Sequence, residues 1–246
     1  MAVIWSFEDT RENKRYEVRL AGSSLRLYTN GAFHSQYSPG HLFTGGVWDL
    51  LSIPALFQAS PLYTNVLMLG VGGGTAIHQL NRLVNPGKII GIELDPIHIQ
   101  VAREYFGLTD PNLTLIEADA RLWLNRSGAR FNIIVDDLFV DAPDDPMRPF
   151  ELNRSWMVLL SKRLRNNGII VQNHLDRSNA TKAADLISDN FRSALLFTVP
   201  HYENVVLALY REPVNSRKAR ALAIKKIQAI DTSAVTKLRF QVQQIY

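Results

Sequence analysis

The chain reads as a doubly wound α/β domain with a mainly parallel sheet, preceded by a small antiparallel β-hairpin region. Three features predict this: continuous apolar runs from Asn65 onward, helical spacing between them, and period-two alternation with turn residues before them. Tyr16, Val18 and Leu20 alternate, Gly22-Ser23-Ser24 breaks the run, Leu25 and Leu27 resume it, and Asn30-Gly31 supplies a hairpin turn. Val47, Leu50, Leu51 and Leu56 keep helical spacing and predict a helix from about Gly46 to Phe57. The runs Val66–Leu69, Ile89–Ile92, Leu113–Ile116, Ile133–Val135 and Ile169–Val171 are too apolar for strands with one wet face. Such runs fit a parallel sheet covered on both sides. Helices are expected over Thr75–Leu83, Pro96–Phe106, Arg121–Asn125, Phe150–Leu164 and Ala180–Phe191, and this alternation is Rossmann-like. Leu195–Val199 and Val205–Tyr210 flank a polar turn and predict an antiparallel pair at the sheet edge. The expected organisation is a hairpin region with its linking helix over 1–60, the α/β domain over 61–212, and a basic tail over 213–246, helical then strand.

Composition narrows the chemistry. With 246 residues, 46% hydrophobic and 20% charged, the chain has the make-up of a globular domain and not of a disordered one. It contains no cysteine, which excludes disulfide scaffolds, thiolate metal sites and cysteine nucleophiles. Met1–Thr10 carries two acids where a secretion signal would be apolar, and no window reaches the roughly 18 apolar residues of a membrane span, so a soluble cytoplasmic protein without membrane contact is expected. The net charge of +4 is concentrated late: Arg211, Arg217, Lys218, Arg220, Lys225 and Lys226 are opposed only by Glu212. Ala221, Leu222, Ile224 and Ile227 at helical spacing predict a solvated helix docked by its apolar side, with an arm that binds RNA or a membrane surface as the sharper alternative. Leu238, Phe240 and Val242 alternate as a final strand able to pair with a neighbouring subunit, and a homodimer is expected.

The candidate site begins after the first apolar run, at Gly70-Val71-Gly72-Gly73-Gly74-Thr75. Gly70, Gly72, Gly73 and Gly74 allow a tight turn and close approach of a ligand to the main chain. Glu93 lies nineteen positions after Gly74, at the end of the second run, where a carboxylate can accept both hydroxyls of a ribose. Asp119 ends the third run, where it can accept an adenine amine while Ala120 offers its N–H to the ring. A dinucleotide fingerprint would want glycine or alanine where Thr75 stands. The bland alternatives are glycines required only by geometry and acids that serve as helix N-caps. Their register at three consecutive strand ends favours an adenosine pocket.

These residues resemble the spermidine synthase (polyamine aminopropyltransferase) family, a branch of the class I S-adenosylmethionine-dependent methyltransferase fold. The resemblance runs from about Leu25 to Tyr210. It includes the Leu27–Gly31 hairpin, Ile53-Pro54-Ala55-Leu56-Phe57, the strand Ile133-Ile134-Val135-Asp136, which looks like the family's strand ending in a catalytic aspartate, and Gly168-Ile169-Ile170-Val171-Gln172. It implies S-adenosylmethionine or its decarboxylated form as cofactor, a small-molecule acceptor with amines among the candidates, and Asp136 as general base with Asp137 beside it. Three departures bear on the donor and acceptor. Gly73 stands where the family has the aspartate that holds the amine of the decarboxylated donor; Phe43, Thr44 and Gly45 replace a tyrosine–histidine–glutamate cluster; and Phe139 replaces a second aspartate, with Asp137 and Asp141 nearby. Desolvated ammonium groups need fixed carboxylates. These losses therefore predict methyl transfer from intact S-adenosylmethionine to an unidentified acceptor. Aminopropyl transfer is the alternative, and a non-catalytic nucleoside-binding relative is the second.

His34, His41, His78, His98, His174 and His201 show no metal-ligand spacing, so no metal is expected. His174 is expected at a surface or turn, and Trp123 and Trp156 within the core. The absence of a Gly-x-Ser-x-Gly elbow and of a Walker lysine argues against hydrolase and nucleotide-triphosphatase chemistry.

Overall fold

Alternation in the first forty residues builds a four-stranded antiparallel sheet of β1 (Ala2–Asp9), β2 (Lys14–Ala21), β3 (Ser24–Thr29) and β4 (Ala32–Tyr37), ordered β1-β2-β3-β4. The structure is a computed structural model and describes residues 1–58, 64–140 and 147–246. Asn30 and Gly31 both take positive φ, 51° and 83°, and join β3 to β4 by the turn their sequence predicts. Strand β1 is an addition to the sequence reading, because its apolar residues do not alternate; Val3, Ile4 and Phe7 all remain exposed. Val18 and Leu27 of this sheet pack on Val101 and Phe106, which docks it against the α/β domain.

The predicted linking helix divides into α1 (Asp49–Ser52) and a 3₁₀ segment, Ile53–Phe57. Pro54 has no N–H with which to extend an α-helical ladder. Beyond it run β5 (Asn65–Leu69), α2 (Thr75–Val84), β6 (Lys88–Glu93), α3 (Pro96–Glu104), β7 (Leu113–Glu117), α4 (Ala120–Arg126) and β8 (Phe131–Asp136). Then follow α5 (Arg154–Arg163), β9 (Leu164–His174), α6 (Arg177–Asp185), β10 (Ser193–Thr198), β11 (Val205–Tyr210), α7 (Ser216–Ile230), α8 (Ala234–Lys237) and β12 (Gln241–Gln244). Helix α5 starts at Arg154 and not at Phe150 because Asn153 caps it, accepting the Trp156 N–H at 3.0 Å.

The eight-stranded sheet is ordered β12-β10-β11-β9-β8-β5-β6-β7, with β9 through β7 mutually parallel and the far edge antiparallel. Successive residues point to opposite layers: Val66 and Met68 join one core with α1, α2 and α7, while Leu67 and Leu69 join another with α4, α5 and α6. Both faces are therefore covered, as the unbroken apolar runs require. The chain leaves β5 toward β6 on one side and returns to β8 on the other, so the strand order reverses between β5 and β8. Ligands of such sheets bind outside the carboxyl ends at this reversal.

In the tail, strand β12 pairs with β10 of its own chain and forms the edge of the sheet. Helix α7 docks through Ala219, Ala223 and Ile227, whereas Leu222, expected on the apolar side, is 57% exposed. Among the described residues no helix is long and apolar enough to cross a membrane.

Candidate active site

The turn after β5 is shaped by what lies above it. Gly70 has φ +79°, and a Cβ there would run into the backbone carbonyl of Asp137. The close approach of these two segments thus requires glycine. The Gly73 N–H donates to Ser35 Oγ at 2.8 Å, and the Thr75 hydroxyl donates to the Gln36 carbonyl at 2.7 Å, so β4 sits directly on the loop. A Cβ on Gly73 would lie 2.8 Å from ring carbons of Phe106 and 2.9 Å from Ser35 Cβ. Gly73→Asp is expected to destabilise the fold by about 1–3 kcal/mol through overpacking, measurable by urea unfolding; unchanged stability would contradict this packing.

The cleft at the reversal point has a volume of about 1410 Å³, above the roughly 300–1,000 Å³ of common ligand pockets. Of the predicted binding residues, Gly70, Gly72, Glu93, Asp119 and Ala120 line it; Gly73 and Gly74 do not, being covered by Phe106 and Leu108. Glu93 is buried, and its carboxylate accepts four backbone N–H groups: Val71 and Gly72 on Oε2 at 2.8 and 3.0 Å, Leu94 and Asp95 on Oε1 at 2.9 and 3.0 Å. A carboxylate has about four acceptor positions. Glu93 therefore organises the loop directly. Asp119 caps α4 by accepting the Leu122 N–H through Oδ1 at 2.8 Å, which leaves Oδ2 for the cleft. The apolar lining of Ile92, Leu94, Ala120 and Leu138 beside that oxygen and the glycine turn suits a purine nucleoside.

The two adjacent aspartates at the end of β8 differ sharply. Asp136 is fully buried and does not line the cleft. Arg148 Nη2 lies astride its two oxygens at 2.7 and 2.8 Å, and the Trp156 indole and Gln172 amide each donate to it at 2.8 Å. Burial opposes its ionisation, but Arg148 and these donors hold its carboxyl below the ordinary range. This closed pair departs from the sequence expectation of an accessible base. Asp137 lines the cleft, and among the described residues its carboxylate has one hydrogen bond, from Asn173 Nδ2 at 2.9 Å; loss of surrounding water, with Asp136 adjacent, pushes its carboxyl up to about 6. Asp141 lies outside the described residues.

His174 is fully buried at the end of β9 and not at a surface or turn, and burial, with Arg148 nearby, pushes its imidazole down to about 4. Trp156 packs in the core as expected and also serves Asp136. Arg148 carries no motif of its own, so nothing in the sequence singles it out. Phe43 lies in the core, and Thr44 and Gly45 tie the turn to buried Asp49 through bonds of 2.7–3.0 Å. Carboxylates nonetheless dominate the cleft: Asp9, Glu12, Glu93, Asp95, Asp119, Asp137, Asp176 and Glu203 line it against Lys14 and Arg121.

A family model described as the spermine/spermidine synthase domain matches residues 50–218. The chain belongs to the spermine/spermidine synthase family. This family member is 26% identical over 197 residues to a polyamine aminopropyltransferase of Mycobacterium tuberculosis, a match covering 76% of this chain and 36% of the relative. A probable polyamine aminopropyl transferase of Bifidobacterium longum is 30% identical over 132 residues, covering 53% and 28%. The chain thus spans about a third of the length of these curated relatives. A probable spermidine synthase from Corynebacterium glutamicum shares the fold with a TM-score of 0.73 at 15% identity, covering 93% of this chain and 88% of that one. A spermidine synthase bound to the transition-state analogue AdoDATO gives 0.70 at 16% identity, covering 96% and 84%.

Membership overturns the expectation of methyl transfer, since the family model and the curated relatives point to aminopropyl transfer. The glycine at position 73 has a packing explanation: a side chain there would run into Ser35 and Phe106.

Proposed function

We propose that this family member transfers an aminopropyl group from decarboxylated S-adenosylmethionine to a cationic amine, with Asp137 as the general base. The observation that carries this reading is a cleft lined, among the described residues, by six carboxylates besides Glu93 and Asp95, which are committed to backbone N–H groups and Lys14, and by only two Lys/Arg, in a chain whose net charge is +4. Such a cleft lowers the cost of desolvating ammonium groups. Gly70, Gly72 and Ala120 would cradle the nucleoside, Asp119 Oδ2 would take the adenine amine, and Glu93 would hold the loop that receives it. The donor, when bound, brings an electrophilic carbon attached to a sulfonium.

Acceptor nitrogen forms a C–N bond at that carbon as the C–S bond breaks, its electron pair remaining on sulfur. The proton shed by nitrogen passes to a carboxylate oxygen of Asp137. With its carboxyl pushed up to about 6, Asp137 is mostly ionised at neutral pH yet basic enough to take that proton. Asp136, already committed to Arg148, stays out of the transfer. The test supplies the protein with decarboxylated S-adenosylmethionine and a linear diamine, and follows aminopropylated amine and methylthioadenosine by mass spectrometry. Equimolar appearance of both is expected. Donor binding in calorimetry without amine product would overturn the reading.

A further inference from the structure

Two carboxylates in sequence, one buried and one in the cleft, pose an electrostatic problem. Each anion resists ionisation of the other, and in such pairs one group surrenders its charge more readily. Which one does so depends on where the cation and the hydrogen-bond donors sit. Here they are distributed unequally among the described residues: the Asp136 carboxylate receives Arg148, the Trp156 indole and the Gln172 amide, while the Asp137 carboxylate receives the Asn173 amide. Arg148 also donates through Nη1 to the Asn173 carbonyl at 3.1 Å. The same guanidinium therefore grips Asp136 and the residue that holds Asp137.

We propose that Arg148 is a positioning residue: by pinning Asp136 as a permanent anion and tethering Asn173, it makes Asp137 the carboxylate of the pair that exchanges a proton with the acceptor. Arg148 does not line the cleft, so its influence passes through these contacts and not through the ligand. The other groups that bear on Asp137 are Asp136 from β8, His34 from β4 and Asn173 from β9. His174, next along β9, is buried and is held neutral at physiological pH, so it does not replace the guanidinium charge. The electrostatic consequence is a balance on Asp137, in which Asp136 resists its ionisation and Arg148 favours it.

The inference rests on the reading of Asp137 as base, but its test does not need the reaction. Protein labelled with ¹³C at aspartate carboxyls is titrated by NMR, the Asp137 signal being assigned by its loss in Asp137→Asn. In Arg148→Met the uncompensated Asp136 anion should raise the Asp137 midpoint by about one pH unit. In Asp136→Asn the released Arg148 charge should lower it. The acid limb of the kcat profile should move with each midpoint, so Arg148→Met loses about twofold in kcat at about pH 7 and approaches about a tenfold loss well below about pH 6, while KM for the donor is unchanged. An Asp137 midpoint identical in wild type and folded Arg148→Met overturns the proposal. If Arg148→Met does not fold, an unmoved midpoint in Asp136→Asn overturns it instead. Absence of transfer by the wild-type protein would sink the proposed activity and leave the NMR result to judge Arg148.

Discussion

Asp137→Asn is expected to lower aminopropyl transfer by about 10²–10⁴-fold, the usual range for removing a positioned general base. The substitution changes little else. Asparagine has the same shape, and its amide oxygen can keep the hydrogen bond that Asn173 Nδ2 makes at 2.9 Å. Donor affinity should stay within a few-fold, because the glycine turn and Asp119 are untouched. The measurement is steady-state transfer together with calorimetric binding of decarboxylated S-adenosylmethionine. A variant that retains most of its kcat would remove Asp137 from the chemistry. The pH profile of the wild type supplies a second check: kcat should rise with pH through an apparent value of about 6, as the carboxyl becomes the ionised, proton-accepting form.

Asp136→Ala should produce the largest loss of stability, about 3–5 kcal/mol by urea unfolding at neutral pH, the range for breaking a buried ion pair from one side. Arg148 would be left without its counterion, and the Trp156 and Gln172 donors would lose their shared acceptor. Because the folded Asp136 carboxyl lies below its unfolded value, the stability it contributes is present above the unfolded value and is lost as pH falls through the folded one. The gap between wild type and variant should therefore close in acid. A gap equal at neutral and strongly acidic pH would contradict the ion pair.

Much of the architecture was visible in hydrophobic period alone. The five apolar runs became five parallel strands, with ends moved by one to a few residues, because a strand buried on both faces leaves an unmistakable pattern. Where signals were local and competing, the reading slipped. Strand β1 has apolar side chains on both faces and so lacks alternation. His174 looked like a turn residue because its place inside the sheet depends on pairing with Val205 of β11, which is remote in sequence. The site was half legible. Glycine turn, Glu93, Asp119 and Asp137 do meet at one cleft. The partner that sets Asp136 apart, Arg148, lies twelve positions downstream with no spacing rule to connect them. Likewise, a missing side chain at Gly73 suggests open space when only the loop is considered; the strand that fills that space comes from residue 35.

That last contact makes the hairpin sheet part of the glycine turn's own support. A loop whose N–H group is capped by Ser35 and whose following helix is held at Gln36 cannot keep its shape if the hairpin sheet is exchanged or trimmed. The N-terminal sheet is thus no removable cover over an autonomous Rossmann half. Inheritance of one constrains the other, and a chimera joining this α/β half to a foreign hairpin would have to carry a small hydroxylated residue at the docking position to rebuild the turn.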